Sequence, residues 1–223
     1  MSPDTEEMYG LIKAEVENAK ARLVAVSKTH PIKKLQAFYE MGQRDFGENR
    51  VQEVVGKYAE MAKDINWHFI GHLQRNKVKE IAPFITLIHA VDSLRLLKEI
   101  AKQGRNNERT IDVLLQFHIA EEASKYGLDW SEAEEIMKYV QTESPTGVRI
   151  VGVMGMATYT DHDEQIAAEF DQLREFFDRL KAGYFSEETS FKEISMGMSG
   201  DYPLALERGS TLVRVGSLLF GSR

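Results

Sequence analysis

The chain has 223 residues, 43% of them hydrophobic and 9% aromatic, an ordinary composition for a packed globular core. Thirty-five acidic residues against 28 basic ones leave a net charge of −7, which repels a phosphate backbone and argues against nucleic-acid binding, while a locally positive pocket for a small anion stays open. There is no cysteine, so disulfides, thiolate metal sites and cysteine nucleophiles are excluded and a reducing cytoplasm is the expected location.

The N-terminal MSPDTEEMYG is acidic, with no apolar run of a signal peptide, and no stretch approaches the roughly 18 apolar residues of a membrane span. A soluble protein with no membrane partner is predicted.

In chain order, Pro3–Lys20 reads as a helix with no strand before it. Arg22–Ser27 (RLVAVS) is a short β-branched run, followed by a helical pattern over Ile32–Met41 with Leu35, Phe38 and Tyr39 on one face and Gly42 as a stop. Asp45–Gly47 is weak alone and is assigned as a strand because the alternation requires one there. Asn49–Lys63 repeats Val51, Val54, Val55 and Tyr58 at helical spacing. Further strands are predicted at Trp67–Gly71, Leu87–Val91, Ile111–His118 and Arg149–Met156, with helices over Ser131–Thr142 and Asp163–Ala182. Ser131 is the expected N-cap of the first of these helices, and Asp161 or Asp163 that of the second.

Glu193–Gly197, a helix at Tyr202–Glu207 and a last strand at Leu212–Gly216 complete the pattern. Ser217–Arg223 reads as too short for an eighth helix, so the N-terminal helix is expected to cover the gap between strands eight and one. About eight strands alternating with helices, with no linker, predict one α/β domain over residues 1–223: a single (β/α)8 TIM-type barrel with an extra N-terminal helix. An open doubly wound sheet is the less favoured architecture.

In such a barrel, functional groups gather at the C-terminal ends of the strands. Lys28 stands there on strand one, in VAVSKTH. Desolvation lowers a lysine pKa and yields the neutral amine that imine formation needs, although a strand-end lysine can also simply point into solvent. Gly197-Met198-Ser199-Gly200-Asp201 follows strand seven and opens a helix, which suits close backbone approach to a phosphate or an ordinary capped turn. Strand eight ends in Arg214-Val215-Gly216-Ser217. Barrel closure sets strand eight beside strand one, so a lysine imine and a phosphate cradle would be neighbours. That pairing suits pyridoxal phosphate as cofactor, held as a Schiff base.

LVAVSKTHP, FGENRVQE, WHFIGHLQRNK, GVMGMAT and MGMSGDYPLALERGSTLVRVGSLLFG together resemble the pyridoxal phosphate homeostasis proteins (the YggS/PROSC family) along nearly the whole chain. The resemblance implies a fold-type III, alanine racemase N-terminal domain-like barrel and Lys28 as the imine lysine. It implies Ser199, Gly200, Gly216 and Ser217 at the phosphate, Arg214 near the pyridine nitrogen, and Asn49 and Met156 lining the cofactor. Gln116-Phe117-His118 departs from the family pattern and leaves that side of the lining open. A permanently charged guanidinium disfavours a protonated pyridine, a weaker electron sink, so cofactor storage or delivery is expected rather than amino-acid chemistry.

Other polar residues have plainer readings. His68 and His72 sit at a strand end without a carboxylate pattern, so they read as core or rim histidines rather than metal ligands. Gln74, Asn76 and Lys77 match the family's LQxNK signature and serve equally well as a helix cap and first turn. Asp161, His162 and Asp163 read as a solvent-facing loop, Glu132–Glu135 as a solvated helix face, and Met196 and Met198 as packing residues. Pyridoxal phosphate is thus the expected partner, with apo-enzymes as possible recipients and a monomer as the expected state. The enzymatic alternative is a racemase of the same fold, whose second base would come from a β-rich domain this reading does not find. An aldolase-type lysine acting on a phosphorylated sugar is the third reading.

Overall fold

A computed structural model describes residues 3–122 and 126–221. Eight parallel strands close into a barrel in sequence order: β1 (Arg22–Val26), β2 (Asp45–Glu48), β3 (Asn66–Phe69), β4 (Leu87–Val91), β5 (Ile111–Gln116), β6 (Val148–Met154), β7 (Glu193–Met198) and β8 (Leu212–Val215). The closing seam pairs Arg22 with Leu212 and Ala25 with Val215, so β8 lies directly beside β1. The open doubly wound alternative is thereby excluded. The weak Asp45–Gly47 run is a real strand and extends to Glu48, because each of its residues from Asp45 to Glu48 pairs with β3.

The described helices are α1 (Pro3–Asn18), α2 (Ile32–Glu40), α3 (Val51–Glu60), α4 (Val78–Ile81), α5 (Leu94–Asn106), α6 (Trp130–Glu143), α7 (Asp163–Tyr184), α8 (Tyr202–Glu207) and α9 (Ser217–Phe220). A short 3-10 turn at Arg75–Lys77 leads into α4, so Gln74 is the cap residue there and carries no side-chain capping bond. Helix α5 was not anticipated; it buries Leu96, Leu97 and Ile100, side chains worth about 1.5–3 kcal/mol each when fully withdrawn from water. None of the described helices is long and apolar enough to cross a membrane.

Three local expectations are corrected. Helix α6 is capped by Asp129 instead of Ser131, since Asp129 and Glu132 bond each other's backbone N–H groups in a capping box. Helix α7 has His162 at its N-cap with no side-chain bond; Asp163 is its first residue, and with Glu164 it opposes the positive helix end. Ser217–Phe220 does form a helix, a single turn whose Leu219 and Phe220 are buried.

Two apolar regions hold the barrel. The larger lies between strands and helices and includes Phe38, Phe46, Trp67, Phe117 and Phe170. A small one inside the barrel gathers Val24, Leu87, Leu114, Val151, Met154 and Leu212. Helix α1 covers the seam side: its Tyr9 ring meets Phe38 of α2 edge-on at 5.3 Å, and Glu15 accepts from the Tyr202 hydroxyl of α8 at 2.7 Å. Phe38 in turn meets Phe220 of α9 at 4.7 Å, so α1, α2 and α9 share one packed face.

Candidate active-site cavity

Lys28 stands two residues beyond the end of β1 and is half-buried at the C-terminal mouth of the barrel. The backbone bends sharply after it. Thr29 adopts a left-handed conformation at φ 67°, costly for a β-branched residue, and its N–H donates to Glu53 Oε2 at 2.7 Å. Beneath the bend, Lys57 of α3 is buried and donates to the Ser27 carbonyl at 2.8 Å and to Glu48 Oε1 at 2.6 Å. Ser27 Oγ donates to the same Glu48 oxygen at 2.6 Å. Burial raises the Glu48 carboxyl above its usual range against the opposing pull of Lys57 and Ser27. This buried pair fixes the residue before Lys28. Sequence reasoning missed it; the available signal was a lysine on the α3 face that also carries Val54.

Lys28 lines a cavity of about 820 Å³ at that mouth. The loops after β7 and β8 form another wall with Ser199, Gly200, Gly216 and Ser217, and Gly216 N–H donates to Ser199 Oγ at 3.1 Å, joining the two loops. Gly197 holds φ 91°, and a Cβ there would come 2.5 Å from Ala205 Cβ, so only glycine lets β7 turn over α8. Asp201 Oδ1 accepts from Met198 N–H at 2.5 Å and closes the turn. Ser217 begins α9, a single turn whose Leu219 and Phe220 N–H groups bond the Gly216 carbonyl at 3.0 and 2.9 Å.

Arg214 points into the same cavity from β8 although it is 4% exposed. Its Nη1 donates to Ser195 Oγ at 2.5 Å and its Nη2 to the Gly155 carbonyl at 3.1 Å, both neutral acceptors. Desolvation pulls its pKa down to about 10, against a smaller upward pull from Asp201. Asn49 and Met156 also line the cavity, and Asn49 Oδ1 is buried with no hydrogen-bond partner among the described residues. All eight predicted site residues are therefore brought together.

Among the other residues singled out, some match expectation and some depart from it. Met198 and Asp161 line the cavity, the first half-buried instead of packed in the core and the second exposed at the rim, while Met196 is fully buried as expected. Gln116 supplies part of the lining and donates to the Tyr126 carbonyl at 2.8 Å; Phe117 instead turns outward and stacks on Phe176 at 4.6 Å. His72 is a rim residue, stacked on Tyr126 at 4.8 Å and bonded to Asp92, whereas His68 is fully buried inside the barrel. Gln74 and Asn76 line a separate surface hollow, and Lys77 pairs with Glu80 at 2.8 Å.

The sequence profile of the alanine racemase N-terminal domain matches residues 6–223. The pyridoxal phosphate homeostasis protein of Aquifex aeolicus is 39% identical over 204 residues, spanning 91% of this chain and 87% of that one. The chain belongs to the pyridoxal phosphate homeostasis family. The homeostasis protein of Bos taurus is 37% identical over 91% of this chain and 77% of its own length.

Among solved structures, PipY of Synechococcus elongatus with pyridoxal phosphate bound superposes with a TM-score of 0.85 at 32% identity, covering 97% of this chain and all of that one. The same protein without the cofactor gives a TM-score of 0.87 at 33% identity. Alanine racemase of Bartonella henselae, at 16% identity and a TM-score of 0.71 over 58% of its length, shares the fold alone. The lining of this family member's cavity suits an aromatic phosphate ester with a carbonyl group: a lysine amine, a guanidinium, joined loop ends for the phosphate oxygens, and at Asn49 Oδ1 an acceptor in need of a donor.

Proposed function

We propose that this chain is a single cofactor-binding barrel, over residues 1–223, that binds pyridoxal phosphate in the cavity at the C-terminal mouth. It acts in vitamin B6 homeostasis by buffering or delivering the cofactor in the cytoplasm, as a monomer, with apo-enzymes as recipients, and without dedicated catalysis. The observation that carries this reading is that Lys28, Arg214 and the Ser199–Gly216 junction line one cavity. When bound, the cofactor supplies an aldehyde that condenses reversibly with an amine.

The chain's own groups do the rest. Lys28 supplies the amine from a position fixed by Lys57 through the Ser27 carbonyl. Ser199, Gly200, Gly216 and Ser217 hold the phosphate with a hydroxyl and backbone N–H groups at the start of α9. Arg214 keeps a positive charge beside the pyridine nitrogen and so discourages its protonation, which weakens the electron sink that racemisation requires. Asn49 and Met156 complete the lining.

Visible absorbance of the protein with added pyridoxal phosphate, followed by borohydride reduction and peptide mass mapping, tests this. An imine band with the reduced adduct on Lys28 is expected. An adduct spread over surface lysines, or no band, would remove Lys28 as the anchor and favour the aldolase-type reading.

A further inference from the structure

Arg214 is one end of a continuous buried hydrogen-bond path through the barrel. Its Nη1 meets Ser195 Oγ of β7 at 2.5 Å, and that oxygen meets His89 Nδ1 of β4 at 2.9 Å, across the lumen. His89 Nε2 meets His68 Nδ1 of β3 at 2.9 Å, and His68 Nε2 meets Asp45 Oδ1 of β2 at 2.8 Å. Asp45 is the first residue of β2, so the path ends at the opposite, N-terminal mouth. There Arg22 stands 3.5 Å from Asp45 and 3.0 Å from Glu193, and Asn66 reaches Asp45 at 3.5 Å. Ser195, His68 and His89 are fully buried.

We propose that Ser195, His89, His68 and Asp45 are positioning residues for Arg214, forming a one-directional relay that locks the guanidinium toward the cofactor cavity. The inference rests on the assignment of Arg214 to the pyridine side of the site. With both imidazoles neutral, the direction is set from the Asp45 end and is compatible with the Arg214 end. A guanidinium only donates, so Ser195 Oγ accepts from Arg214 and its own proton is available to His89 Nδ1. A carboxylate only accepts, so His68 carries its proton on Nε2 toward Asp45. A neutral His68 then accepts at Nδ1, and His89 must carry its proton on Nε2. Every link is satisfied with both imidazoles neutral and in the same tautomer.

The arrangement also explains why no carboxylate among the described residues bonds Arg214 itself. The countercharge of Asp45 stands at the far mouth, behind two neutral rings, so the guanidinium is held in orientation while its charge still faces the cavity. A carboxylate in direct contact would orient it equally well and neutralise that charge.

Nitrogen NMR of the apo-protein with isotope-labelled histidine tests the relay without any variant. Both His68 and His89 are expected to be neutral Nε2–H tautomers around neutral pH. An Nδ1–H tautomer or a doubly protonated ring at either position would overturn the relay. The second measurement uses cofactor labelled at the pyridine nitrogen. Ser195→Ala is expected to move that resonance and to weaken cofactor binding about tenfold, the effect of one lost bond to a charged donor.

A folded Ser195→Ala protein with the wild-type resonance and affinity would overturn the positioning role. An Arg214→Gln protein with the wild-type pyridine resonance would instead overturn the placement of Arg214 at the ring, and with it the relay's purpose, even with both tautomers as drawn. The two failures are therefore distinguishable.

Discussion

Lys57 Nζ lies 2.6 Å from Glu48 Oε1 and 2.8 Å from the carbonyl oxygen of Ser27, the residue that precedes Lys28. Both charged side chains are buried. Removing one partner of such a pair strands the other, a loss of about 3–5 kcal/mol. Lys57→Met is thus expected to lower the urea midpoint strongly, and Glu48→Gln combined with Lys57→Met to recover much of that loss. Equal stability of Lys57→Met and wild type would show that the pair contributes nothing. Imine formation at Lys28 should slow or weaken in the single variant, since the carbonyl that fixes its backbone loses its donor.

Acid should destabilise the apo-protein in two stages. His89 is held well below the usual imidazole range by burial first, and then by nearby positive charge that includes Arg214 and Arg22. The unfolded chain therefore takes up a proton near pH 6.5 that the folded chain refuses, and stability falls below about pH 6.5 by up to ~1.4 kcal/mol per pH unit. Asp45 adds a second loss. Burial alone would raise its carboxyl, but the hydrogen bonds from His68 and Asn66 and the charge of Arg22 outweigh this and leave it lowered. Its contribution is present above about pH 4 and is lost as pH falls further. Glu48, whose carboxyl is raised, acts in the opposite sense: its folded state binds the proton more readily, so it offsets part of the loss as pH falls through its raised pKa. Urea denaturation at a series of pH values measures the sum. A flat profile from neutral to pH 5 would contradict a neutral buried His89.

Gly197→Ala is expected to cost about 1–3 kcal/mol, because alanine is strained at φ 91° and its Cβ would come 2.5 Å from that of Ala205. The displaced element would be the turn that carries Ser199 and Gly200. Cofactor affinity should therefore fall along with melting temperature. A variant that melts like wild type and binds normally would show that the turn accommodates a side chain.

The barrel was legible because its strands are continuous apolar runs and its helices amphipathic, two periods that a linear sequence displays directly. The site's outer ring was legible as well: Lys28 at a strand end and Gly197–Asp201 before a helix announce themselves locally. What escaped was nonlocal or weakly patterned. Lys57 looks like any exposed helical lysine until α3 is laid on β1 and β2. His68, His89, Ser195 and Asp45 belong to four different strands, and nothing in their spacing says that their side chains meet inside a closed barrel. The caps of α6 and α7 were misassigned by one or two residues, as expected where several acidic and hydroxyl residues compete for one position. Helix α9 was missed because a single turn has no period to read; burial of Leu219 and Phe220 against α2 and α1 decides it.

The proposed phosphate end of the site offers the cleanest separation of binding from folding. Ser199 Oγ accepts from Gly216 N–H at 3.1 Å, which leaves its own proton to donate into the cavity. Ser199→Ala removes that donor and frees the Gly216 N–H, while the wall itself changes little, because Ser199 is half-buried at the cavity surface. Loss of one hydrogen bond to a charged group costs about 1.5–3 kcal/mol, roughly ten- to hundredfold in affinity. Pyridoxal phosphate should therefore bind Ser199→Ala weakly, whereas unphosphorylated pyridoxal should bind wild type and variant alike. Absorbance titrations with both ligands provide the comparison. A parallel loss for pyridoxal would mean that Ser199 supports the whole cavity rather than the phosphate, and an unchanged affinity for both would place the phosphate elsewhere on the wall.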